Sequence, residues 1–506
     1  MNPIIRFRQG VPATATWRTA CCAVLSVATL AWPSVSLSQP VGLPNMGAAS
    51  AAELSPRLER QLGDAIMMQG RRDPTYIHDL DLTQYLNEMG QKLVRHASGQ
   101  APDISLFGVR DPSINAFAMP GGYIGIHSGL FTSVESESEL AGVTAHEIGH
   151  VAQRHIARGL TQQAQNSSIM MASMAAALLA ALAGSVDLAQ GVAVFGQAAA
   201  IDRQLGFSRD AEREADRAGF DMLRKAGYDP AGMAQMFQRL MNSSRLNEGM
   251  GGGAYASTHP LSIQRMSDIQ NRMSQMTPSS HVSSDDFWYL RAKLRVLQAL
   301  DAQSRRLVMQ QLQQEAQSLS GTRQHAAWFG LAVEALRRKQ ADEAEGWLNR
   351  LAEARQDTPY AAGLRIELAQ LRGQNEQAVA LARAAVQRWP QRQALQLALA
   401  EALYATQHFQ ELERLVAAQD PGLLEQEPRF RQLQALAQDA QGNLSASRRT
   451  MAEFYIMTGA YPAAVSQLHQ ARAVTDDFYV QSQIDARIRQ VQELMDSEKR
   501  LREQFG

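Results

Sequence analysis

Residues 146–150 read His-Glu-Ile-Gly-His: two imidazoles four positions apart, with a carboxylate beside the first. The surrounding segment, 137–157, carries the apolar pattern of a helix. Residues four apart share one helical face, so both rings can close on a single cation. Neutral imidazole nitrogens suit zinc, and Glu147 stands where it can take a proton from water activated by the metal. The chemistry implied is metal-assisted hydrolysis. The competing reading is a surface helix that happens to carry two histidines, and the downstream sequence argues against it.

A metal held by two histidines needs a third protein ligand, with one position left for water. Residues 208–220, Ser-Arg-Asp-Ala-Glu-Arg-Glu-Ala-Asp-Arg-Ala-Gly-Phe, offer Glu212, Glu214 and Asp216 at helical spacing. Glu212 and Asp216 are four apart and share a face, whereas Glu214 points roughly the opposite way and reads, beside its arginines, as a solvated residue. One of the pair can bind metal while the other orients a ligand histidine. His155, five beyond His150, falls off the ligand face and is expected to pack or cap.

With both motifs in place, the chain resembles the HtpX/Oma/CaaX-prenyl-protease clan of zinc metallopeptidases, whose pattern is H-E-x-x-H followed by E-x-x-x-D. The resemblance implies His146, His150 and Glu212 as ligands of one Zn2+ per chain, Glu147 as general base and Asp216 as the residue orienting a ligand. Two further stretches, 115–130 and 257–265, match the same clan. Arg265 in the second is the clan's basic residue, and in that reading it stabilises the developing oxyanion. In the exported, repeat-bearing subgroup that the chain resembles most, a histidine at the place of His259 approaches the zinc as a fourth ligand and holds the enzyme latent. His259 can equally serve on the substrate side from a fixed loop, stabilising the oxyanion. The glycine-rich run 248–254 just before it would supply the mobility a switch needs.

The elements that must position these residues read as follows. A helical pattern spans 56–98. Two β-like runs, 104–109 and 116–127, follow, with Pro120-Gly121-Gly122 as a turn between short strands. The two motif helices come next. The expected fold is mostly α: an α+β zincin-like metallopeptidase domain with a small sheet over 56–284, then an α-solenoid over 285–506. The edge strand near 115–119 offers a rail on which an extended peptide can pair. From 285 onward glycine is scarce and similar turns recur, with Ala344, Ala378, Glu411 and Ala446 as equivalent positions. That spacing, near 34 residues, is the period of tetratricopeptide repeats, each a helix pair too small to bury its own core. Trp328, Leu331, Ala344, Leu348 and Ala352 fit the packing pattern of the first unit, and a half-repeat signature at 454–464 shifts the phase. The repeats are expected to fold as a unit separate from the peptidase.

The formal net charge of −1 over 506 residues leaves no nucleic-acid footprint and no acidic tail. The first 38 residues carry Arg6, Arg8 and Arg18 and no acid, lead into an apolar run at 19–32, and end in small residues. They read as a signal peptide cleaved near Ser38, with 39–55 as a linker. Both cysteines, Cys21 and Cys22, lie inside that signal, so metal binding falls to histidine and carboxylate. Residues 168–200 form two alanine-rich apolar runs, read as helices packed near the site, with peripheral membrane contact as an option. The resemblance further implies the periplasm of a Gram-negative bacterium, quality control and chaperone-like assembly of outer-membrane β-barrel proteins, including the lipopolysaccharide-export barrel, and partnership with the β-barrel assembly machinery. The alternative is a repeat-based client-binding adaptor whose metalloprotease site is largely latent.

Overall fold

The computed structural model describes residues 55–98, 102–159, 208–246, 255, 259–260, 262–276 and 280–505. The signal at 1–38, all of the linker but Ser55, the alanine-rich runs at 168–200 and the glycine run at 248–254 lie outside the described residues. Among those described, no helix is long and apolar enough to cross a membrane.

The helical stretch read as 56–98 is two helices, α1 (Pro56–Gly70) and α2 (Leu80–Val94). Ser55 caps the first and Asp79 the second, each accepting a hydrogen bond from a first-turn backbone N–H. Between them, Asp73-Pro74 disfavours helical backbone, which apolar periodicity alone does not register. The strands are β1 (Ser105–Val109), β2 (Ala116–Met119) and β3 (Tyr123–His127). Their order is β1-β3-β2, with β1 parallel and β2 antiparallel to β3. The Pro120–Gly122 turn joins β2 to β3, and Gly121 at φ +78° takes a conformation that side chains resist. The expected edge strand is β2, with all four of its residues buried.

A short helix, α3 (Ser128–Ser133), leads to α4 (Glu137–Ala152), the H-E-x-x-H helix. Every residue of α4 from Glu137 to His150 is buried, so this helix is the centre of the domain and not a surface element. Ser136 caps it, accepting from the Glu139 backbone N–H. The Glu137 carboxylate accepts hydrogen bonds from Tyr85, His281 and both the backbone N–H and hydroxyl of Ser284. That buried carboxylate ties the start of α4 to the segment that enters the repeats. Against α4 pack α5 (Arg209–Lys225) and α6 (Ala231–Leu246), and α7 (Ile263–Ser274) packs on those two in turn.

From α8 (Asp285–Gln298) onward, helices follow one another in antiparallel pairs to Phe505. The turns inside and between pairs put Lys339, Gly373, Gln407, Gly442 and Gly459 in left-handed conformation, the first four spaced as the repeat period requires. Ala344 and Ala378 are fully buried as expected, but the later equivalents are Leu412 and Ser447, one residue beyond the positions read from sequence. In the first unit Ala352 is exposed and Leu351 buried, because the seam after Leu348 continues at three residues, not four. The Gly459 turn joins Leu444–Met457 to Tyr461–Ala473, adding a helix to an already completed pair. This is the phase shift at 454–464.

The hydrophobic core does not stop where the architecture changes. Phe287 of α8 stacks on Phe131 of α3 at 5.5 Å, and one continuous apolar cluster runs from Leu86 and Leu140 to Leu348 and Leu368. Lys293, also on α8, reaches Asp79 at 2.6 Å and Asp81 at 3.1 Å. Further along, Arg392 pairs with Asp286, Gln84 bonds to the Gln391 carbonyl, and the Tyr461 hydroxyl meets the Met68 sulfur. The packing therefore gives no support to a peptidase that folds apart from its repeats.

Candidate metal centre

The crossing of α4 and α5 sets the site. A Cβ at Gly149 would stand 2.8 Å from the Ala215 carbonyl oxygen, and one at Gly219 would stand 3.0 Å from the Ala145 carbonyl. Only glycines allow the two backbones this close, and their approach brings Glu212 of α5 beneath the two histidines of α4. Ser208 caps α5, accepting from the Ala211 N–H. Ser262 caps α7 in the same way, accepting from the Arg265 N–H, with His259 and Pro260 leading into that helix.

One donor atom from each of His146, His150, Glu212 and His259 lies within 4.8 Å of the others, and all four residues are buried. The Nε2 atoms of His146 and His150 face each other at 3.0 Å. Each stands 3.5 Å from a Glu212 oxygen. His259 Nδ1 is 3.0 Å from Glu212 Oε1 and 3.4 Å from His146 Nε2. The far nitrogens explain the near ones. His146 Nδ1 lies 3.0 Å from Asp216 Oδ1, an ion-pair contact off the ideal hydrogen-bond axis. With that nitrogen turned to a carboxylate, the lone pair of His146 sits on Nε2, aimed at the centre of the group.

The carboxylates around the group favour positive charge there. Burial penalises a charged His146, yet Asp216 and Glu212 outweigh it and raise its pKa to about 9. Burial also opposes ionisation of Glu212, but His259 and His146 overcome this and hold it far below the usual carboxylate range. His150 is pushed well down, first by burial and then by His146. Two converging imidazoles beside a deeply ionised carboxylate are the donor set of a zinc-type site. Glu147 supplies a second test of fit. It is wholly buried, and neither carboxylate oxygen has a hydrogen-bond partner among the described residues; His259 Nε2 stands 3.5 Å from its Oε1. A carboxylate kept dry and unsatisfied costs several kcal/mol, roughly, unless something in the working site engages it. The residues present fit a bound divalent metal.

Asp216 and Arg265 hold this arrangement from behind. Arg265 donates from Nε and Nη2 to the two Asp216 oxygens at 2.7 Å each, and from Nη1 to the Pro260 carbonyl at 2.9 Å. Its Nη1 also lies 2.6 Å from Glu212 Oε2. The guanidinium is thus committed to the two acidic residues and to the His259-Pro260 backbone, so it braces the ligands instead of facing an open position. Phe237 lies under it, 4.9 Å from ring centroid to guanidinium carbon, and also packs edge-on to His146.

Two residues have partners that their reading in sequence does not give, and a third goes unread. His155 does not merely pack: its Nδ1 is 3.0 Å from His150 Nδ1. A continuous α4 would carry His155 off the ligand face, but α4 ends at Ala152 and Arg154 turns left-handed at φ +53°. The next helical turn, 155–159, then brings His155 back against His150. Glu214, read as solvated, is half exposed yet bonds to His155 and Arg158. Tyr255 carried no motif signal at all. It is fully buried with its ring 4.6 Å from that of His259, whose backbone N–H it accepts.

Residues 81–273 match the model for Peptidase family M48. A β-barrel assembly-enhancing protease of Yersinia pestis is 34% identical over 348 residues, which cover 67% of this chain and 68% of that one. The protein of the same name in Escherichia coli is 35% identical over 314 residues, 62% of this chain and 63% of its own length. Metalloprotease LoiP of Escherichia coli is 32% identical over 193 residues, 38% of this chain and 69% of LoiP.

Proposed function

The chain belongs to peptidase family M48 and is a metalloprotease, and from that premise we propose that it is a zinc-dependent endopeptidase of the Gram-negative periplasm acting on outer-membrane β-barrel proteins. The single observation that carries the catalytic part is the buried Glu147 carboxylate, without a hydrogen-bond partner among the described residues, beside a converging His146–His150–Glu212 donor set. His146, His150 and Glu212 hold the metal. When bound, zinc polarises a peptide carbonyl and makes a water molecule acidic enough to attack near neutral pH.

Everything else falls to this chain's residues. Glu147 takes the proton as the water oxygen bonds to the carbonyl carbon, then delivers it to the amide nitrogen as the C–N bond breaks, leaving a carboxylic acid and an amine. Asp216 keeps His146 in the tautomer that presents Nε2, and Arg265 keeps Asp216 ionised while pairing with Glu212 in a buried pocket. The edge strand β2 pairs with an extended segment of substrate. The repeats present clients and dock to the assembly machinery, which gives the chaperone-like component. The names of the relatives support the substrate class, and the apolar, arginine-led first 38 residues support export.

Glu147→Gln tests the reading, because the amide cannot accept the proton while every ligand remains. Casein cleavage is expected to fall by about 10²–10⁴-fold at unchanged zinc content. Wild-type cleavage by the zinc-loaded variant contradicts the assignment.

A second reading, a client-binding adaptor with a latent protease, is favoured by one observation: His259 Nδ1 sits inside the donor set, 3.0 Å from Glu212. In this reading His259 fills the fourth position at rest. His259→Ala is then expected to raise cleavage of unfolded substrate. A residue acting on the oxyanion predicts the opposite sign, a loss of about 10²-fold or more with zinc retained.

A further inference from the structure

His146 and His150 present the same nitrogen to the centre, but the other nitrogen of each ring meets a different partner. His146 Nδ1 faces the Asp216 carboxylate directly. His150 Nδ1 faces a second imidazole, His155 Nδ1, at 3.0 Å; His155 Nε2 then lies 3.0 Å from Glu214 Oε2, to which Arg158 also donates at 3.0 Å. Resting on the reading of His150 as a metal ligand, we infer that His155 and Glu214 are positioning residues for the metal, a two-step relay that fixes the tautomer of His150 and aims its Nε2 into the site.

The hydrogen bonds admit one self-consistent arrangement for neutral rings. An ionised carboxylate only accepts, so the hydrogen of His155 sits on Nε2, toward Glu214. His155 Nδ1 is then an acceptor and takes the hydrogen of His150 Nδ1. The lone pair of His150 is left on Nε2, the atom that stands 3.0 Å from His146 Nε2 and 3.5 Å from Glu212. Partners of this kind fix ring orientation and raise ligand basicity. The backbone gives independent support. Arg154, not a glycine, is held at φ +53° with its guanidinium 3.5 Å from Glu59, and this turn is what returns His155 to His150. A left-handed arginine is retained only where the surroundings fix it. The result is that each ligand histidine is oriented by a carboxylate: Asp216 directly for His146, and Glu214 through His155 for His150. Glu214, off the ligand face of α5, would act on the metal through this route.

The test is zinc affinity of the full chain, measured by competition with a chromophoric chelator, together with the melting temperature of the metal-stripped protein. His155→Phe keeps the ring and its packing but removes both hydrogen bonds. Zinc binding about 10–100-fold weaker at unchanged metal-free melting temperature is expected. His155→Gln, whose amide can still accept from His150 and donate to Glu214, should restore most of the affinity, and Glu214→Ala should cause a smaller loss. Unchanged affinity in His155→Phe, or equal losses in the Phe and Gln variants, would overturn the relay. Should the Phe variant fail to fold, Glu214→Ala at the half-exposed end decides the matter, unchanged affinity overturning the relay. His150→Ala separates the two levels. Wild-type uptake that is lost in His150→Ala but untouched by changes at 155 and 214 would refute the relay alone, whereas a wild-type chain that takes up no zinc would refute the metal centre with it.

Discussion

The metal centre and the repeat array place their charged residues in opposite ways. Around the metal centre Glu212, Asp216 and Arg265 are 1%, 3% and 4% exposed, and each is bonded to another charged group. In the array the pairs between successive repeats, such as Arg383–Glu411, Arg429–Glu401 and Arg487–Glu453, stand roughly a third to a half exposed. The array is held instead by small apolar seams at Ala344, Ala378, Leu412 and Ala464. A buried charge left without its partner is costly, whereas an exposed pair is screened and contributes little. Function is thus concentrated where electrostatic errors are least tolerated, and the array can vary its surface freely so long as its seams hold.

Truncation after residue 284 probes the contrast most severely. It removes Phe287, Leu290 and Leu294 from the apolar cluster that joins α8 to α3 and α2. Loss of several large apolar side chains, at about 2–5 kcal/mol each, exceeds the stability of an ordinary domain. Residues 56–284 alone are expected to show no cooperative melting transition; a sharp transition with full zinc uptake would mean that the two regions are separate after all. Asp216→Asn comes next. It leaves the buried Arg265 with Glu212 as its one acidic partner and loosens His146, so a loss on the order of 3 kcal/mol, read as a lowered melting temperature, should accompany weaker zinc binding. At the small end, Arg383→Ala breaks a pair 46% and 39% exposed and should cost no more than about 1 kcal/mol. Comparable melting shifts from Asp216→Asn and Arg383→Ala would erase the distinction.

What the sequence disclosed follows from the range of its interactions. The H-E-x-x-H and E-x-x-x-D spacings place His146, His150, Glu212 and Asp216 on helical faces, and the structure brings all four together. The strands and the Pro120 turn were equally legible because alternation and turn chemistry are local. His155 was not, since a single left-handed residue at Arg154 resets the helical count. Glu214 is half exposed beside an arginine, as its surroundings in the sequence suggest, but its bond to His155 is invisible until the turn is known. The register of the later repeats slipped by one residue because alanine is abundant there and does not mark a unique seam. The continuous core across residue 285 depends on contacts such as Phe131 with Phe287, which no local pattern records.

The most direct measurement of the central claim is anomalous scattering at the zinc edge from crystals of the zinc-loaded full chain. The predicted result is one site per chain, about 2.0–2.2 Å from His146 Nε2, His150 Nε2 and a Glu212 oxygen. A metal held elsewhere, or bound without Glu212, would contradict it.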